Sequence, residues 1–318
     1  MPGGRGSMVP YGRKRGFRRS FRKNRSLLLM CLPVMLALLV FCYLPMPGLY
    51  VAFIDYNYAD GVFGSQFVGL QNFRPLILSG TLWTLTRNTV LYNIAFILTG
   101  NVVQLIFAVL LNEIACKAYR RVTQSIMILP HFISIVVVGL FLYSVINYDK
   151  GILNNILDSL GQARVSVYST PSVWPGLLIL INLWKSVGYG TIVYFAAITG
   201  MDTEMLEAAH IDGASTWQRI RYIQLPCLRP TFVILLLLAL GGVMRGNFGL
   251  FYNTVGAQNS MLYDVTDIIE TYVFRALMNN FNFSIGSAVS LYQSVVGFAL
   301  ILGANSLARR LDPDCALF

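Results

Sequence analysis

Long, unbroken apolar runs alternate with short polar stretches along this chain. Wound as helices, runs of about 20 residues cross the ~30 Å hydrocarbon core of a bilayer. Such runs fall at about 27–50, 85–112, 122–146, 173–198, 228–246 and 286–307. A membrane-spanning barrel strand would alternate apolar and polar positions, whereas Val233 to Leu240 is apolar throughout. A bilayer leaves no water to satisfy backbone amides, so continuous runs predict helices. The expected fold is all-α and integral to the membrane, with six transmembrane helices. A basic tail over 1–26 precedes a transmembrane domain over 27–308, and 309–318 forms a second tail. In the long connection after the third run, Ile152-Leu153-Asn154-Asn155-Ile156-Leu157 predicts a short amphipathic helix lying on a surface.

Composition agrees: 56% of residues are hydrophobic and 12% charged, against about 25% charged in soluble domains. The net charge of +10 matters through its placement. Nine of the 24 basic residues lie in the first 25 positions, with no acid among them. Beside an apolar run, such a cluster holds the terminus in the cytoplasm on anionic lipid, a better reading than nucleic-acid binding. Counting Lys117, Arg120, Arg121, Arg219, Arg221, Arg229, Arg309 and Arg310, 17 of the 24 fall on one side of a six-span arrangement, and five (Arg74, Arg87, Lys150, Arg164, Arg275) on the other. The positive-inside rule then places both termini in the cytoplasm of a bacterial cell. The first run is too long for a cleaved signal and reads as a retained anchor. All five cysteines fall in spans or inner segments, so no disulfide is expected, and no spacing suggests a metal site.

The connection between the fourth and fifth runs is polar and specific: Glu207-Ala208-Ala209-His210-Ile211-Asp212-Gly213, then Ile223-Gln224-Leu225-Pro226. Asp202 can cap a helix running to about Asp212, with Glu204 in its first turn. Gly213 fits the position after a helix end, where positive φ is wanted. Ser215 and Gln218 have capping-box spacing for a second helix, and Pro226 and Pro230 predict a break before the fifth span. Charge placement puts this loop, about 200–226, on the cytoplasmic side independently of its own residues.

The spacing of Glu207, Ala208, Ala209, Asp212, Gly213, Ile223, Leu225 and Pro226 resembles the EAA loop of permease subunits in bacterial ATP-binding-cassette importers. Tyr43-Leu44-Pro45, Val68-Gly69-Leu70-Gln71-Asn72-Phe73, Asn88-Thr89 and Asp267 through Arg275 are similar to the carbohydrate-importer branch. Within it the chain looks like the LplB-like permeases of oligosaccharide and polysaccharide importers. The resemblance implies the type I importer permease fold, import by alternating access, a second related permease, two cytoplasmic ATPase subunits and an extracytoplasmic solute-binding protein. It also implies that Glu207 meets the ATPase and Gly213 sets the bend. The chain has no G-x-x-x-x-G-K-[ST] loop, so ATP and Mg belong to the ATPase subunits and no cofactor is expected here. No nucleophile–base pair is apparent either, so an enzyme is not expected.

Polar side chains in spans face a cavity or another helix. Candidates for the substrate path are Asn88, Asn93, Asn101 and Gln104 on the second span, Asn182, Trp184, Lys185, Tyr189 and Tyr194 on the fourth, Arg245 and Asn247 at the fifth, and Tyr292 and Gln293 on the sixth. Interhelical hydrogen bonding is the alternative for each. Lys185 and Arg245, cations without an evident acidic partner, suggest an acidic saccharide. Gly286, Ser290, Ser294, Gly297 and Ala304 give the sixth span a narrow face, suited to packing within the subunit or to a seam with a partner. The competing classes are an ion-coupled secondary transporter and a non-transporting scaffold. The first calls for more spans and intramembrane acids; the second needs no ATPase-docking loop.

Overall fold

The computed structural model describes residues 25–256 and 258–311. The basic tail through residue 24, and Cys315 with the rest of 312–318, lie outside the described residues. The chain divides into two compact units, Met1–Tyr50 and Val51–Phe318. In the first, helix α1 (Arg25–Leu38) carries Pro33 and widens into a π-helical turn over Leu39–Tyr43.

The second unit opens on a small hairpin that an all-α expectation omits. Its strands β1 (Ile54–Asp55) and β2 (Gln66–Phe67) pair antiparallel, with Ile54 opposite Phe67. The Asn72 amide pins this turn by donating to the carbonyls of Ala52 and Ile54 at 3.0 and 2.9 Å. Two long helices form the frame, α2 (Thr81–Asn112) and α6 (Trp174–Thr199). They run side by side in one direction: Tyr92 shares a cluster with Leu178 and Ile181, and Ala108 and Val109 share another with Tyr194 and Ile198.

The third expected span, 122–146, is not one helix. Helix α3 (Lys117–Phe132) and helix α4 (Ile135–Ile146) meet at an 89° bend. Pro130 lies in the last turn of α3. Ile133 and Ser134 are extended, and neither can continue the ladder. Apolarity continues through the break, which is why a hydropathy reading misses it. The surface helix expected at Ile152 is present as α5 (Ile152–Ser159).

After α6 come α7 (Thr203–Ile211) and the continuous helix α8 (Thr216–Leu240). The break expected at Pro226 and Pro230 does not occur. A π-helical stretch over Ile220–Gln224 precedes Leu225, whose N–H reaches back to the Ile220 carbonyl. The wider turn accommodates the proline ring and the missing donor of Pro226. At its far end α8 stops at Leu240, short of the expected 246, and Gly241 and Gly242 turn the chain. Beyond lie α9 (Phe248–Val255), α10 (Ile269–Phe274) and α11 (Phe283–Leu311).

Glycines permit the closest approaches. A β-carbon on Gly139 of α4 would strike the Asn253 carbonyl of α9, and one on Gly188 of α6 the Met127 carbonyl of α3. On the narrow face of α11, Gly286 abuts Leu277 and Gly297 abuts Met244, both within the chain. Among the described residues, five helices are long and apolar enough to cross a membrane, and six if the bent pair counts as one span.

Candidate functional site: the loop between α6 and α8

Helix α7 has caps at both ends. The Asp202 carboxylate accepts from the Glu204 N–H at 2.9 Å. At the other end, Gly213 has φ +76°. Its N–H donates to the His210 carbonyl at 3.1 Å, and the Ala214 N–H to the Ala209 carbonyl at 2.9 Å. This pair of bonds is a Schellman closure, which needs a residue at home in left-handed backbone. Ser215 and Gln218 then form the reciprocal capping box that starts α8, at 3.3 and 2.7 Å. The two helices are thus fixed at a bend by local chemistry alone.

The bend presents a surface. Glu207, Ala208, Asp212, Gly213 and Pro226 are exposed, while Ala209 and Ile223 are half-buried. Ile211 is 85% exposed, Trp217 64% and Tyr222 69%. An apolar patch of this kind beside a polar rim is the surface character of a docking site. Leu206, Glu207, His210, Ile211 and Arg219 line a groove of about 510 Å³ along α7. Two of the motif's small residues, Ala208 and Ala209, keep the helix thin.

The other residues singled out from the sequence fall into two groups. Several are bonded within the fold. Asn88 is buried and donates to the carbonyls of Asp264 and Asp267 at 3.2 and 3.0 Å. The buried Tyr194 hydroxyl meets the Asn101 side-chain oxygen at 2.8 Å, joining α6 to α2. Asn93 turns back to the Thr89 carbonyl of its own helix, at 2.8 Å. Gln104 reaches the Ser186 carbonyl at 3.4 Å and lies against Gly190. Tyr292 pairs with Thr86 at 2.9 Å. Gln293 donates to the Met244 carbonyl at 2.6 Å and to Glu270 at 2.7 Å.

Lys185 also has partners, though not acids. Its ammonium donates to the Pro130 carbonyl at 3.1 Å and to the Ile133 carbonyl. It therefore caps the carboxyl-terminal end of α3 at the 89° break, where freed carbonyls and the helix dipole favour a cation. Beside it, Tyr189 stacks on His131 with centroids 5.0 Å apart. The second group remains open: Trp184 and Tyr189 are exposed, as are Arg245 and Asn247, and Asn182 is half-buried. Both Arg245 and Asn247 lie past the end of α8. Asn247 caps α9 by accepting from the Leu250 N–H at 3.2 Å, and the Arg245 guanidinium has no hydrogen bond or ion pair among the described residues.

The sequence reading missed a set of partnered charges. The buried Asp267 and half-buried Arg275 form an ion pair at 2.5 Å, with Arg275 4.0 Å above the Tyr263 ring. Glu270 accepts from Gly246 N–H as well as from Gln293, joining the turn after α8 to α10 and α11. Near the loop, Glu113 at the end of α2 accepts from Gln224 at 2.8 Å and faces Arg219 at 3.5 Å. One signal was available: Gln224 is a polar residue inside the otherwise apolar Ile223–Pro226 stretch.

Comparison with known proteins agrees with this arrangement. The family model for binding-protein-dependent transport system inner membrane components matches residues 100–315. The chain is 33% identical to protein LplB of Bacillus subtilis over 93% of its own length and 92% of that protein's. It is 32% identical to YteP, the polygalacturonan/rhamnogalacturonan transport system permease protein of the same species, over 92% and 90%. Among solved structures, a bacterial ABC transporter involved in import of the acidic polysaccharide alginate superposes with a TM-score of 0.82 at 31% identity, covering 94% of this chain and all of that one. A bacterial alginate ABC transporter in complex with an alginate pentasaccharide-bound periplasmic protein gives 0.81 at 31% identity, covering 93% of this chain and 98% of that one. With a span set of this kind and a capped two-helix loop between α6 and α8, the chain belongs to the family of inner-membrane permease components of binding-protein-dependent ABC transport systems.

Proposed function

We propose that this chain is one of two related permeases in an ATP-driven importer that brings an acidic oligosaccharide or polysaccharide into the cytoplasm by alternating access. Two cytoplasmic ATPase subunits bind ATP and Mg and dock on the loop between α6 and α8. A solute-binding protein delivers the saccharide from outside, and both chain termini lie in the cytoplasm. Glu207, Ala208, Ala209, Asp212 and Gly213, with Ile223, Leu225 and Pro226 behind them, form the docking element.

The observation that carries this reading is the geometry of α7. It is a capped helix whose exposed face joins a small residue, the Glu204 and Glu207 carboxylates and the bare Ile211, set at a fixed angle to a span by Gly213. A docked ATPase closing and opening with ATP would move α7 as a rigid body. The similarity to permeases named for polygalacturonan and alginate transport supports an acidic saccharide. The unpartnered, exposed Arg245 supports it from within the chain.

Glu207→Lys reverses the charge next to the two alanines of α7. Purified from cells that make the whole importer, this variant should carry markedly less ATPase than wild type at equal permease yield. Full retention of the ATPase, with transport intact, would remove Glu207 from the docking role.

A further inference from the structure

Among the described residues, helix α7 is joined to α8 by a side-chain hydrogen bond to a residue outside the recognised motif. No other described helix packs extensively against it. The Arg219 guanidinium, in the first turn of α8, donates to His210 Nδ1 on α7 at 3.2 Å. The same guanidinium faces the Glu113 carboxylate at 3.5 Å and the Thr216 hydroxyl at 3.3 Å. Glu113 caps the end of α2 and takes a second bond from Gln224, at 2.8 Å, one turn along α8. Arg219 and Glu113 are both about a quarter exposed or less, at 21% and 25%. Behind them Ile220 packs on the cluster of Ala108, Val109, Tyr194, Ile198 and Leu228, where α2, α6 and α8 meet.

We propose that Arg219 is the positioning residue that transmits movement of α7 to the spans, bridging His210 on the docking helix to Glu113 at the end of α2. Without the bridge, α7 would be tied to the body chiefly through backbone at the Asp202 and Gly213 ends. The caps set the resting angle of the bend, but a push on α7 would then reach α8 only through the Gly213 backbone, where no side chain braces it. With the bridge, the planar guanidinium holds two elements at once, a geometry that lysine cannot reproduce. Gln224 fixes Glu113 from the α8 side, so α2 and α8 receive the displacement together. This inference rests on the docking role of α7 proposed above and adds the route by which the motion leaves it.

The test uses the complete importer in nanodiscs, with the native cysteines replaced by serine and Leu78→Cys as reporter near the start of α2, on a side chain 75% exposed. Maleimide labelling at position 78 is timed with and without a non-hydrolysable ATP analogue. Coupling free energies between sites correspond to about fivefold or more, so wild type should change its labelling rate by about that factor. Arg219→Gln and Glu113→Gln should lose most of the change while keeping ATPase content and nucleotide affinity. Arg219→Lys, which keeps the charge but has no planar fork to hold both partners, should lose it too. A full nucleotide response in the Gln variants or in Arg219→Lys overturns the proposal, as does an unresponsive wild type. Loss of ATPase from the Arg219 variants also overturns it, by making Arg219 a docking contact. Failure of the docking reading would look different: Glu207→Lys would keep its ATPase whatever the Arg219 variants do.

Discussion

Gly213 and Gly188 are both glycines for steric reasons, but different ones. At Gly213 the backbone is left-handed at φ +76°, and no atom lies within 4 Å of where a β-carbon would sit. Alanine there meets only conformational strain, about 1 kcal/mol. Gly213→Ala should therefore leave the complex assembled and cut ATP-driven uptake by pulling the bend between α7 and α8 away from its left-handed geometry. Uptake unchanged within error would detach the bend from coupling. Lys185 and Arg245 separate in a similar way. Lys185 is occupied by the Pro130 and Ile133 carbonyls, whereas Arg245 is exposed and unpaired among the described residues. Removing Lys185's charge-assisted bonds costs about 2 kcal/mol of local stability. Lys185→Met should thus lower uptake of trigalacturonate and of neutral maltotriose alike, and Arg245→Met should lower trigalacturonate selectively. Competition assays with both sugars check this. The sequence made both residues visible as cations without acids. It could not reveal that Lys185's partners are backbone carbonyls, because those are freed only by the bend at 133–134.

At the scale of elements, caps were legible and breaks were not. Asp202, Gly213 and the Ser215–Gln218 pair act within a few residues of themselves, so their spacing is enough to predict α7 and the start of α8. The bend between α3 and α4 depends on Pro130 near a helix end, inside a run whose apolarity never falls. Pro226 misleads in the opposite direction. Its ring suggests a break, yet the π-helical turn before it keeps α8 continuous into the loop after α7. This continuity matters, since a single rigid helix from Thr216 to Leu240 joins the loop to the spans. The α3–α6 contact offers a test of how tightly the frame is set. A methyl on Gly188 would collide with the Met127 backbone carbonyl, which cannot rotate away. Overpacking of this kind costs about 1–3 kcal/mol. Gly188→Ala should lower the melting temperature of the purified permease measurably, and Gly176→Ala, with open space around it, should not.

For the whole molecule, the account is a division of labour. The spans and their connections are knitted by polar pairs such as Asn101–Tyr194, Asp267–Arg275 and Glu270–Gln293. The first and last are interhelical bonds of the kind that hold packed helices together in lipid, and the second braces one turn of chain beside α10. The sequence listed half of these residues as pathway candidates because a polar side chain in a span looks the same whether it faces a cavity or a neighbour. The loop between α6 and α8, by contrast, offers exposed small and apolar groups to something outside the chain. The central claim is that this something is an ATPase on the cytoplasmic side. The most direct measurement is site-specific cross-linking in membranes holding the complete importer. With the native cysteines replaced by serine, Ala208→Cys is compared with Ala59→Cys beside the β1–β2 hairpin, using a short thiol-reactive photo-cross-linker. The account predicts an ATPase adduct from position 208 and none from position 59; an ATPase adduct at 59, or none at 208, would contradict it.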